Sequence, residues 1–393
     1  MANGVFPEEG LDWRIVLREL YARFIREPKH LVDNIIGSMT TMPHPLSVEA
    51  YKLFMFFNAN DPIVFRETHK LEREVISMLG EILGGEGVEG LITSGGTEAN
   101  ISALYLAREH GYDVVYAAIT AHSSIRKAAR ILRMRLVEVE VDKDYHMDLN
   151  DLESKVKKYG KGVIVATAGT TGLGTVDNVR SISDIAIRYN SVVHVDAAFG
   201  GFIIPFLRRV GYRLPDIGFN NEAVVSVTID PHKLGLTPIP SGGLVVRGKE
   251  WFKPLIFESK YMPMGCQVGL GGTRSGGSIA ATWAMLKHLG WKGYTKLALE
   301  AMNKTFKVAE RIRSSHVLRL VVEPETPIIC MGVQGVNARS ILEKLWNSGW
   351  YPYHCGIVDG IRIVVMPHVD VSQLLELVEV VEDLAGTIKR NNT

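Results

Sequence analysis

The feature that most constrains this chain is a series of short apolar segments separated by helix-forming segments. Residues 163–167 and 225–229, for example, are runs of mostly β-branched residues without a charged side chain. A strand of that kind is buried on both faces. Because helical segments lie between the runs, the pattern predicts an α/β fold with a mostly parallel sheet covered by helices. The predicted strands are 114–119, 136–141, 163–167, 192–195 and 225–229, with 244–247 as an antiparallel addition.

The pattern divides the chain into three parts. Residues 1–57 form an N-terminal helical segment, whose amphipathic helix 11–27 either contacts a partner subunit or lies alone on the surface. Residues 58–284 form the large α/β domain, which ends in a glycine-rich, flexible stretch at 269–277. Residues 285–393 form a smaller α+β domain. The other predicted helices are 48–57, 64–83, 101–109, 123–132, 148–159, 181–189, 279–289, 294–313, 338–348 and 371–388, and further strands are 328–333 and 361–367.

Composition excludes several classes of protein. The 393 residues carry a net charge of +1, so no basic field is available to attract nucleic acid. No run approaches the roughly 18 apolar residues needed to span a membrane, and the first ten residues lack the features of a signal peptide. The three cysteines, Cys266, Cys330 and Cys355, are far apart and odd in number, so we expect neither a metal site nor a disulfide framework. These observations predict a cytoplasmic protein in a reducing environment.

A lysine follows one of the buried strands at a position suited to chemistry. The strand 225–229 ends at Asp230-Pro231, and His232 and Lys233 come next. In open α/β sheets, ligands bind beyond the carboxyl ends of the strands. A lysine amine there can form a Schiff base with a carbonyl cofactor. The alternative is an ordinary solvated loop lysine.

Two further motifs follow predicted strands or apolar runs. Ser94-Gly95-Gly96-Thr97 precedes a helix, and glycines with hydroxyl side chains at a helix start suit an anion such as a phosphate. The alternative is a turn that caps the helix. His122 follows the strand 114–119, where its ring could lie against an aromatic cofactor, or it could be a polar loop residue.

Asp196 completes the set at the end of the strand 192–195. A carboxylate at the end of a buried strand is costly without a partner, and a protonated pyridine nitrogen would be one. The small Ala198 leaves room for a flat ring, whereas the alternative role for Asp196 is a helix cap. A phosphate loop, a stacking histidine, a carboxylate and a lysine in this order together predict pyridoxal 5′-phosphate as the cofactor, with no metal.

Long motifs extend this prediction to a family. They include S-G-G-T-E-A-N at 94–100, A-G-T-T-G-L-G-T-V-D-N at 168–178, H-V-D-A-A-F-G-G at 194–201, T-I-D-P-H-K at 228–233 and G-G-T-R-S-G at 271–276. On these strings the chain resembles group II pyridoxal-phosphate amino-acid decarboxylases, especially the archaeal L-tyrosine/L-aspartate decarboxylases. The resemblance implies the aspartate-aminotransferase fold (fold type I) and a homodimer with shared active sites. One departure is Arg274-Ser275, where related chains usually have Arg-Pro.

The resemblance also implies roles for individual residues. Lys233 would carry the cofactor, Asp196 would meet its ring nitrogen and His122 would stack on its ring. The segment Gly272-Thr273 would reach the phosphate in the neighbouring subunit. The remaining cofactor contacts implied are Gly95, Gly96, Thr97, Thr170, Ala198 and His232.

Catalysis and substrate binding depend on residues that the motifs identify less directly. Tyr261, in the loop 257–268, is the candidate donor of a proton to Cα, with His232 as the alternative. Tyr261 could instead be a surface aromatic residue. His44 and Arg362 are candidate substrate contacts, although Arg362 could equally form a structural ion pair.

The substrate itself stays open at this point. The resemblance implies decarboxylation of L-aspartate to β-alanine for coenzyme A, of L-tyrosine to tyramine for methanofuran, or of L-glutamate. A second reaction on the same scaffold is carbon–carbon cleavage of phosphorylated sphingoid bases, but such lyases usually carry a membrane anchor. A protein of a different class would bind the cofactor without turnover, which the intact set of lysine, aspartate and histidine argues against.

Overall fold

The computed structural model describes residues 6–392, with side chains to residue 390. Residues 1–5, half of the segment on which the absence of a signal peptide is predicted, lie outside it. The helices are α1 Trp13–Phe24, α2 Pro45–Phe54, α3 Arg66–Ile82, α4 Gly96–Glu109, α5 Ser123–Ile131, α6 Leu149–Tyr159, α7 Val179–Arg188, α8 Ile204–Arg209, α9 Gly248–Phe252, α10 Gly276–Arg313, α11 Ala338–Asn347 and α12 Val371–Asn392. The strands are β1 Glu89–Thr93, β2 Val114–Ala118, β3 Arg135–Val139, β4 Val163–Thr167, β5 Val192–Asp196, β6 Val224–Ile229, β7 Gly242–Val246, β8 Ile256–Glu258, β9 Cys266–Val268, β10 Leu318–Leu320, β11 Ile328–Val333, β12 Tyr353–His354 and β13 Ile361–Val364.

The centre of the fold is a seven-stranded sheet in the order β1-β7-β6-β5-β4-β2-β3. Strand β7 runs antiparallel to both of its neighbours, and the other pairs are parallel. The predicted α/β class, the mostly parallel sheet and the antiparallel strand near residue 244 are therefore confirmed. Because the parallel strands share one direction, their carboxyl ends lie at the same edge of the sheet.

The central strands β4, β5, β6 and β7 are buried on both faces of this sheet, whereas the edge strand β3 is partly exposed. In β4, Ile164 and Ala166 pack into the larger core cluster, whereas Val163 and Val165 point to the opposite face and pack with α4 and α5. All five β4 residues are buried. Fully burying a valine or isoleucine side chain contributes about 1.5–3 kcal/mol, so a strand of this composition favours a covered, central position.

The C-terminal part contains a second, four-stranded antiparallel sheet in the order β10-β11-β13-β12. Helix α10 leads into it and leaves the helical conformation at Gly290, with φ 53° and ψ −165°. This kink lies between the two helices predicted at 279–289 and 294–313. The prediction of a flexible stretch over 269–277 is wrong at its end, because α10 begins at Gly276 and is capped by Ser275, whose side chain accepts the Ser278 N–H at 3.1 Å.

The expectation that the cysteines form no disulfide is also wrong. Cys330 in β11 and Cys355 just after β12 are joined, with their Cα atoms 6.0 Å apart. Strands β11 and β12 flank β13, so residues 25 positions apart in sequence become neighbours in the sheet. Gly360 leaves space for the bridge, because a Cβ at that position would lie 2.7 Å from Cys330 Sγ.

The N-terminal helix α1 contributes nothing to the core. None of its residues is buried, and it exposes a row of large apolar side chains. Within the described residues, no helix is long and apolar enough to cross a membrane. The exposed residues of α1 include Trp13, Leu17, Leu20, Tyr21 and Phe24.

Candidate active site

A cavity of about 310 Å³ lies at the carboxyl edge of the central sheet. It is formed where β4, β5 and β6 end and where the glycine loop enters α4, which is the position expected for a ligand site in such a sheet. Its volume is at the lower end of the range for small-molecule pockets. Of the predicted cofactor contacts, the cavity brings together Gly95, Gly96, Thr97, His122, Asp196, Ala198, His232 and Lys233.

Lys233 lies at the floor of the cavity beside a second carboxylate. Its Nζ is 3.2 Å from Asp230 Oδ2, and His232 Nε2 is 3.5 Å from the same oxygen. Asp230 is only 2% exposed, and its Oδ1 has no hydrogen-bond partner among the described residues. From the sequence, Asp230 marks only the end of the strand 225–229, and nothing there indicates a buried acid beside Lys233.

Asp196 is held at the end of β5 by two donors. Its Oδ2 accepts a hydrogen bond from Asn100 Nδ2 at 2.9 Å, and its Oδ1 accepts the Ala198 N–H at 3.2 Å. A carboxylate oxygen can accept more than one hydrogen bond, so capacity remains for a protonated ring nitrogen. Asp196 caps none of the α-helices of the described chain. Asn100 lies inside the quoted S-G-G-T-E-A-N motif, but nothing in the sequence pairs it with Asp196.

The two histidines of the cavity are both partly desolvated. Burial lowers the pKa of His122 and, likewise, the pKa of His232, so both rings are neutral near pH 7. His122 caps α5, with its Nδ1 accepting the Ser124 N–H at 3.2 Å. His232 Nδ1 accepts the Ser241 N–H at 3.3 Å. Neutral imidazoles can stack on an aromatic ring or exchange a proton.

The glycine loop leaves no room for side chains. A Cβ at Gly96 would lie 2.8 Å from Asp230 Oδ2. Ser94 is tied back to the first turn of α4, because its N–H and its hydroxyl both donate to Glu98 Oε2, at 2.7 and 2.6 Å. The start of α4 therefore presents backbone N–H groups to the cavity, which suits a phosphate.

A second cavity of about 330 Å³ shares His122 and Thr171 with the first. Arg362 of β13 lines it and is 7% exposed. Its Nη1 and Nη2 donate to the carbonyl oxygens of Thr171 and Gly37, at 2.9 and 2.7 Å, and its buried Nε has no partner in the described chain. Burial lowers the pKa of Arg362. No carboxylate of the described residues pairs with this guanidinium, which disfavours the structural ion pair.

Four predicted residues lie elsewhere in this chain, and a fifth lies in the second cavity. Tyr261 is 81% exposed on the loop between β8 and β9. His44 caps α2 and lies 5.1 Å from the His288 ring. Thr273 lines a different cavity, together with Ser94 and Thr97 of the glycine loop, and the Gly272 carbonyl accepts a hydrogen bond from Asn60 Nδ2 at 3.3 Å. Thr170 lines the second cavity, with its hydroxyl 2.8 Å from that of Thr175.

Comparison with known proteins agrees with this geometry. Residues 54–334 match the pyridoxal-dependent decarboxylase conserved domain. The chain is 40% identical to a probable L-aspartate decarboxylase of Pyrococcus abyssi, over 98% of this chain and 99% of the relative. It is also 40% identical to a probable L-tyrosine/L-aspartate decarboxylase of Methanothermobacter thermautotrophicus, over 90% and 96%.

Solved structures show the same fold. A sphingosine-1-phosphate lyase of Burkholderia pseudomallei superposes with a TM-score of 0.89 at 25% identity, covering 99% of this chain and 95% of that one. A glutamate decarboxylase of Lactobacillus brevis superposes with a TM-score of 0.84 at 20% identity, covering 98% and 94%. The fold is that of fold type I pyridoxal-phosphate enzymes, and the chain belongs to the pyridoxal-dependent decarboxylase family.

Proposed function

We propose that this amino-acid decarboxylase acts on L-aspartate and releases β-alanine and CO2. The observation that carries the proposal is the pair of adjoining cavities. One contains the amine of Lys233 and the carboxylate of Asp196, and the other is lined by Arg362, whose guanidinium pairs with no carboxylate of the described residues. The names of the relatives support aspartate, since the Pyrococcus abyssi relative is named for aspartate and the Methanothermobacter relative for tyrosine and aspartate.

The residues of the first cavity fit pyridoxal phosphate. We assign Lys233 to its aldehyde carbon, Asp196 to its ring nitrogen and His122 to one face of its ring. The backbone of Gly95, Gly96 and Thr97 suits its phosphate, and the small Ala198 leaves room for the ring. When bound, the cofactor supplies an electron-accepting ring that takes up the electron pair left at Cα as CO2 departs.

The proposed role of the protein is then to orient the substrate. Arg362 cannot swing freely, because two of its nitrogens are fixed on backbone carbonyls. A guanidinium has five N–H donors, so hydrogens beyond these two contacts remain for a charge-assisted hydrogen bond to a substrate carboxylate. A substrate carboxylate held at that point fixes the rotation about the amino-acid Cα, which decides which bond can break.

The Cα proton comes from one of two groups in this proposal. His232 lies in the cavity, whereas Tyr261 of the same chain lies on an exposed loop. Tyr261 can act only if it belongs to the opposite subunit of a homodimer. The exposed apolar residues of α1 support such a dimer, because a large apolar patch usually marks an interface.

Subunit mixing tests the shared site. Lys233→Ala and Tyr261→Phe variants are each purified inactive and then mixed under conditions that exchange subunits. A shared site predicts that activity returns to at most about a quarter of the wild-type value, because half of the dimers are mixed and each has one intact site. An active Tyr261→Phe enzyme would leave His232 as the donor.

L-tyrosine is the second candidate substrate. Ile119, Leu173 and Ile357 line the second cavity, and an apolar wall suits an aromatic side chain better than a second carboxylate. The proposal places either reaction in the cytoplasm, with β-alanine directed to coenzyme A or tyramine to methanofuran. L-glutamate is the longer acidic alternative.

The deciding experiment is a CO2-release assay over the twenty amino acids with added pyridoxal phosphate. We expect aspartate to give the highest kcat/KM, with release abolished in Lys233→Ala. Borohydride reduction followed by peptide mass analysis should place the cofactor on Lys233. Aldehyde release from a phosphorylated sphingoid base, without CO2 from any amino acid, would instead make the protein a carbon–carbon lyase. A preparation that binds the cofactor but turns over neither class of substrate would be a non-catalytic binder.

A further inference from the structure

We propose that Asn100, hydrogen-bonded to His194, is a positioning residue that orients both the carboxylate of Asp196 and the ring of His122. The inference rests on the proposed cofactor contacts of Asp196 and His122. Neither Asn100 nor His194 is among the site residues predicted from the sequence. In the structure, both belong to one continuous network of buried hydrogen bonds.

The amide of Asn100 is fully hydrogen-bonded. Its Nδ2 donates to Asp196 Oδ2 at 2.9 Å and to Ser124 Oγ at 2.8 Å. Its Oδ1 accepts from Thr228 Oγ1 at 2.7 Å and from His194 Nε2 at 3.0 Å. A primary amide has two donor hydrogens and two acceptor lone pairs, so all four positions are used. Asn100 is 1% exposed, and water cannot replace any of these partners.

The strand and helix geometry makes this network possible. His194 and Asp196 are two residues apart in β5, so their side chains point to the same face of the sheet. Thr228 of β6 lies in register with Asp196. Helix α4 starts at Gly96, and Asn100 occupies its second turn, directly over these strands. Asn100 therefore connects the glycine loop at the start of α4 with the Asp196 carboxylate at the end of β5.

The direction of every hydrogen bond follows from the charge on Asp196. An ionised carboxylate can only accept, so the Nδ2 of Asn100 must face it. The Oδ1 therefore faces His194, which must donate from Nε2 and accept from Ser226 Oγ with Nδ1, at 2.8 Å. Burial lowers the pKa of His194 to about 4, so this ring is neutral near pH 7. On the side of the network, the Asp196 carboxylate consequently accepts a hydrogen bond from the neutral amide of Asn100. The neutral His194 adds no cation there that would compete with a protonated ring nitrogen for this carboxylate.

The second Nδ2 hydrogen fixes His122. Ser124 Oγ accepts from Asn100 and can then donate to His122 Nδ1, which lies 2.8 Å away. His122 Nδ1 also accepts the Ser124 N–H. The proton of the neutral His122 ring must therefore be on Nε2. One amide thus orients the group proposed for the ring nitrogen and the group proposed for the ring face.

Cofactor binding tests the inference separately from turnover. The variants are Asn100→Ala, His194→Phe and Asp196→Ala, with Ser102→Ala as the matched control. Ser102 is a fully buried polar residue of the same helix, and its hydroxyl has no hydrogen-bond partner among the described residues. For each apoprotein, tryptophan quenching gives the dissociation constant of pyridoxal phosphate. Visible absorption and circular dichroism at saturating cofactor report the environment of the ring.

We expect Asn100→Ala to weaken cofactor binding about 10- to 100-fold, since hydrogen bonds to charged groups are worth about 1.5–3 kcal/mol. Its visible spectrum should also change at saturation. His194→Phe should give a smaller change in the same direction, and Ser102→Ala should match the wild type. A merely structural role would lower the melting temperature and leave the saturated spectrum unchanged.

The outcomes separate the two proposals. Wild-type affinity and spectrum in Asn100→Ala, together with impaired Asp196→Ala, would overturn the inference and keep the role of Asp196. Wild-type behaviour of Asp196→Ala would overturn the cofactor assignment itself. If Asn100→Ala does not fold, His194→Phe decides, and an unchanged dissociation constant and spectrum in that variant refute the inference.

Discussion

The contact between His146 and Glu325 predicts a specific loss of stability at alkaline pH. His146 follows β3, and Glu325 lies between β10 and β11, so the contact joins the central sheet to the C-terminal sheet. His146 Nε2 is 3.1 Å from Glu325 Oε1, and its Nδ1 is 3.5 Å from Asp142 Oδ2. The other Glu325 oxygen accepts the Val176 N–H at 2.6 Å, beside the A-G-T-T-G-L-G loop that lines both cavities.

The sign and size of the effect follow from the pKa. The hydrogen bond to Glu325 raises the pKa of His146 from 6.5 to about 9. A group with a raised pKa stabilises the fold fully below its unfolded value and loses that contribution as the pH rises through the folded value. One pKa unit is worth about 1.4 kcal/mol, which gives about 3 kcal/mol. Both side chains are a quarter to a third exposed, at 25% and 30%, so we expect solvent screening to leave about 1–2 kcal/mol.

Urea unfolding at a series of pH values measures this term, because urea is uncharged and does not screen the pair. Between about pH 6.5 and 9 the wild type should lose about 1–2 kcal/mol relative to His146→Gln, which keeps a donor but does not titrate in this range. Burial raises the pKa of Asp177 to about 6. The Asp177 carboxyl therefore changes the free energy of unfolding mainly below the pH range in which His146 does. Parallel stability curves for wild type and His146→Gln would refute the reasoning.

Three further changes have definite expected outcomes. Glu72→Gln leaves the buried Arg274 without its charge partner and should lower the free energy of unfolding by about 3–5 kcal/mol, measured with urea. Gly96→Ala places a Cβ 2.8 Å from Asp230 Oδ2 and should weaken cofactor binding about tenfold or more, as absorbance titration would show. Cys330→Ser removes the disulfide and should lower the free energy of unfolding by about 3 kcal/mol; equal stability of Cys330→Ser and the wild type, both measured in urea without reductant, would contradict this.

The central sheet could be predicted from the sequence because most of its parallel strands are largely uncharged, mainly apolar runs between helices, although the edge strand β3 carries Arg135 and Glu138. The strand predicted at 163–167 has the observed bounds of β4. Other elements carry weaker signals. The strands β8, β9, β10 and β12 have two or three residues each, which is too short for a period to be visible. Helix α4 starts five residues before its predicted beginning, because the glycines that open it resemble a continuing loop.

The candidate site could be predicted only as far as local motifs reach. The grouping of Lys233, Asp196 and His122 in one cavity could be predicted because each follows a predicted strand, and strand ends meet at one edge of a parallel sheet. Asp230 and Asn100 were missed although they lie in quoted motifs, since their importance depends on contacts with residues far away in sequence. Asn100 meets Asp196 across 96 positions and Thr228 across 128. No spacing rule within one sequence connects such pairs.

The disulfide shows why the number of cysteines was a poor guide to the environment. Cys330 and Cys355 are 0% and 1% exposed, so a reductant reaches their sulfurs only after the C-terminal sheet opens. A buried bridge of this kind is protected by the stability of the sheet around it. Some intracellular proteins, such as those of hyperthermophilic archaea, also contain disulfides, so a bridge by itself does not mark an oxidising compartment. The bridge is therefore compatible with the proposed cytoplasmic decarboxylase. For this chain, an odd number of cysteines does not indicate a reducing environment.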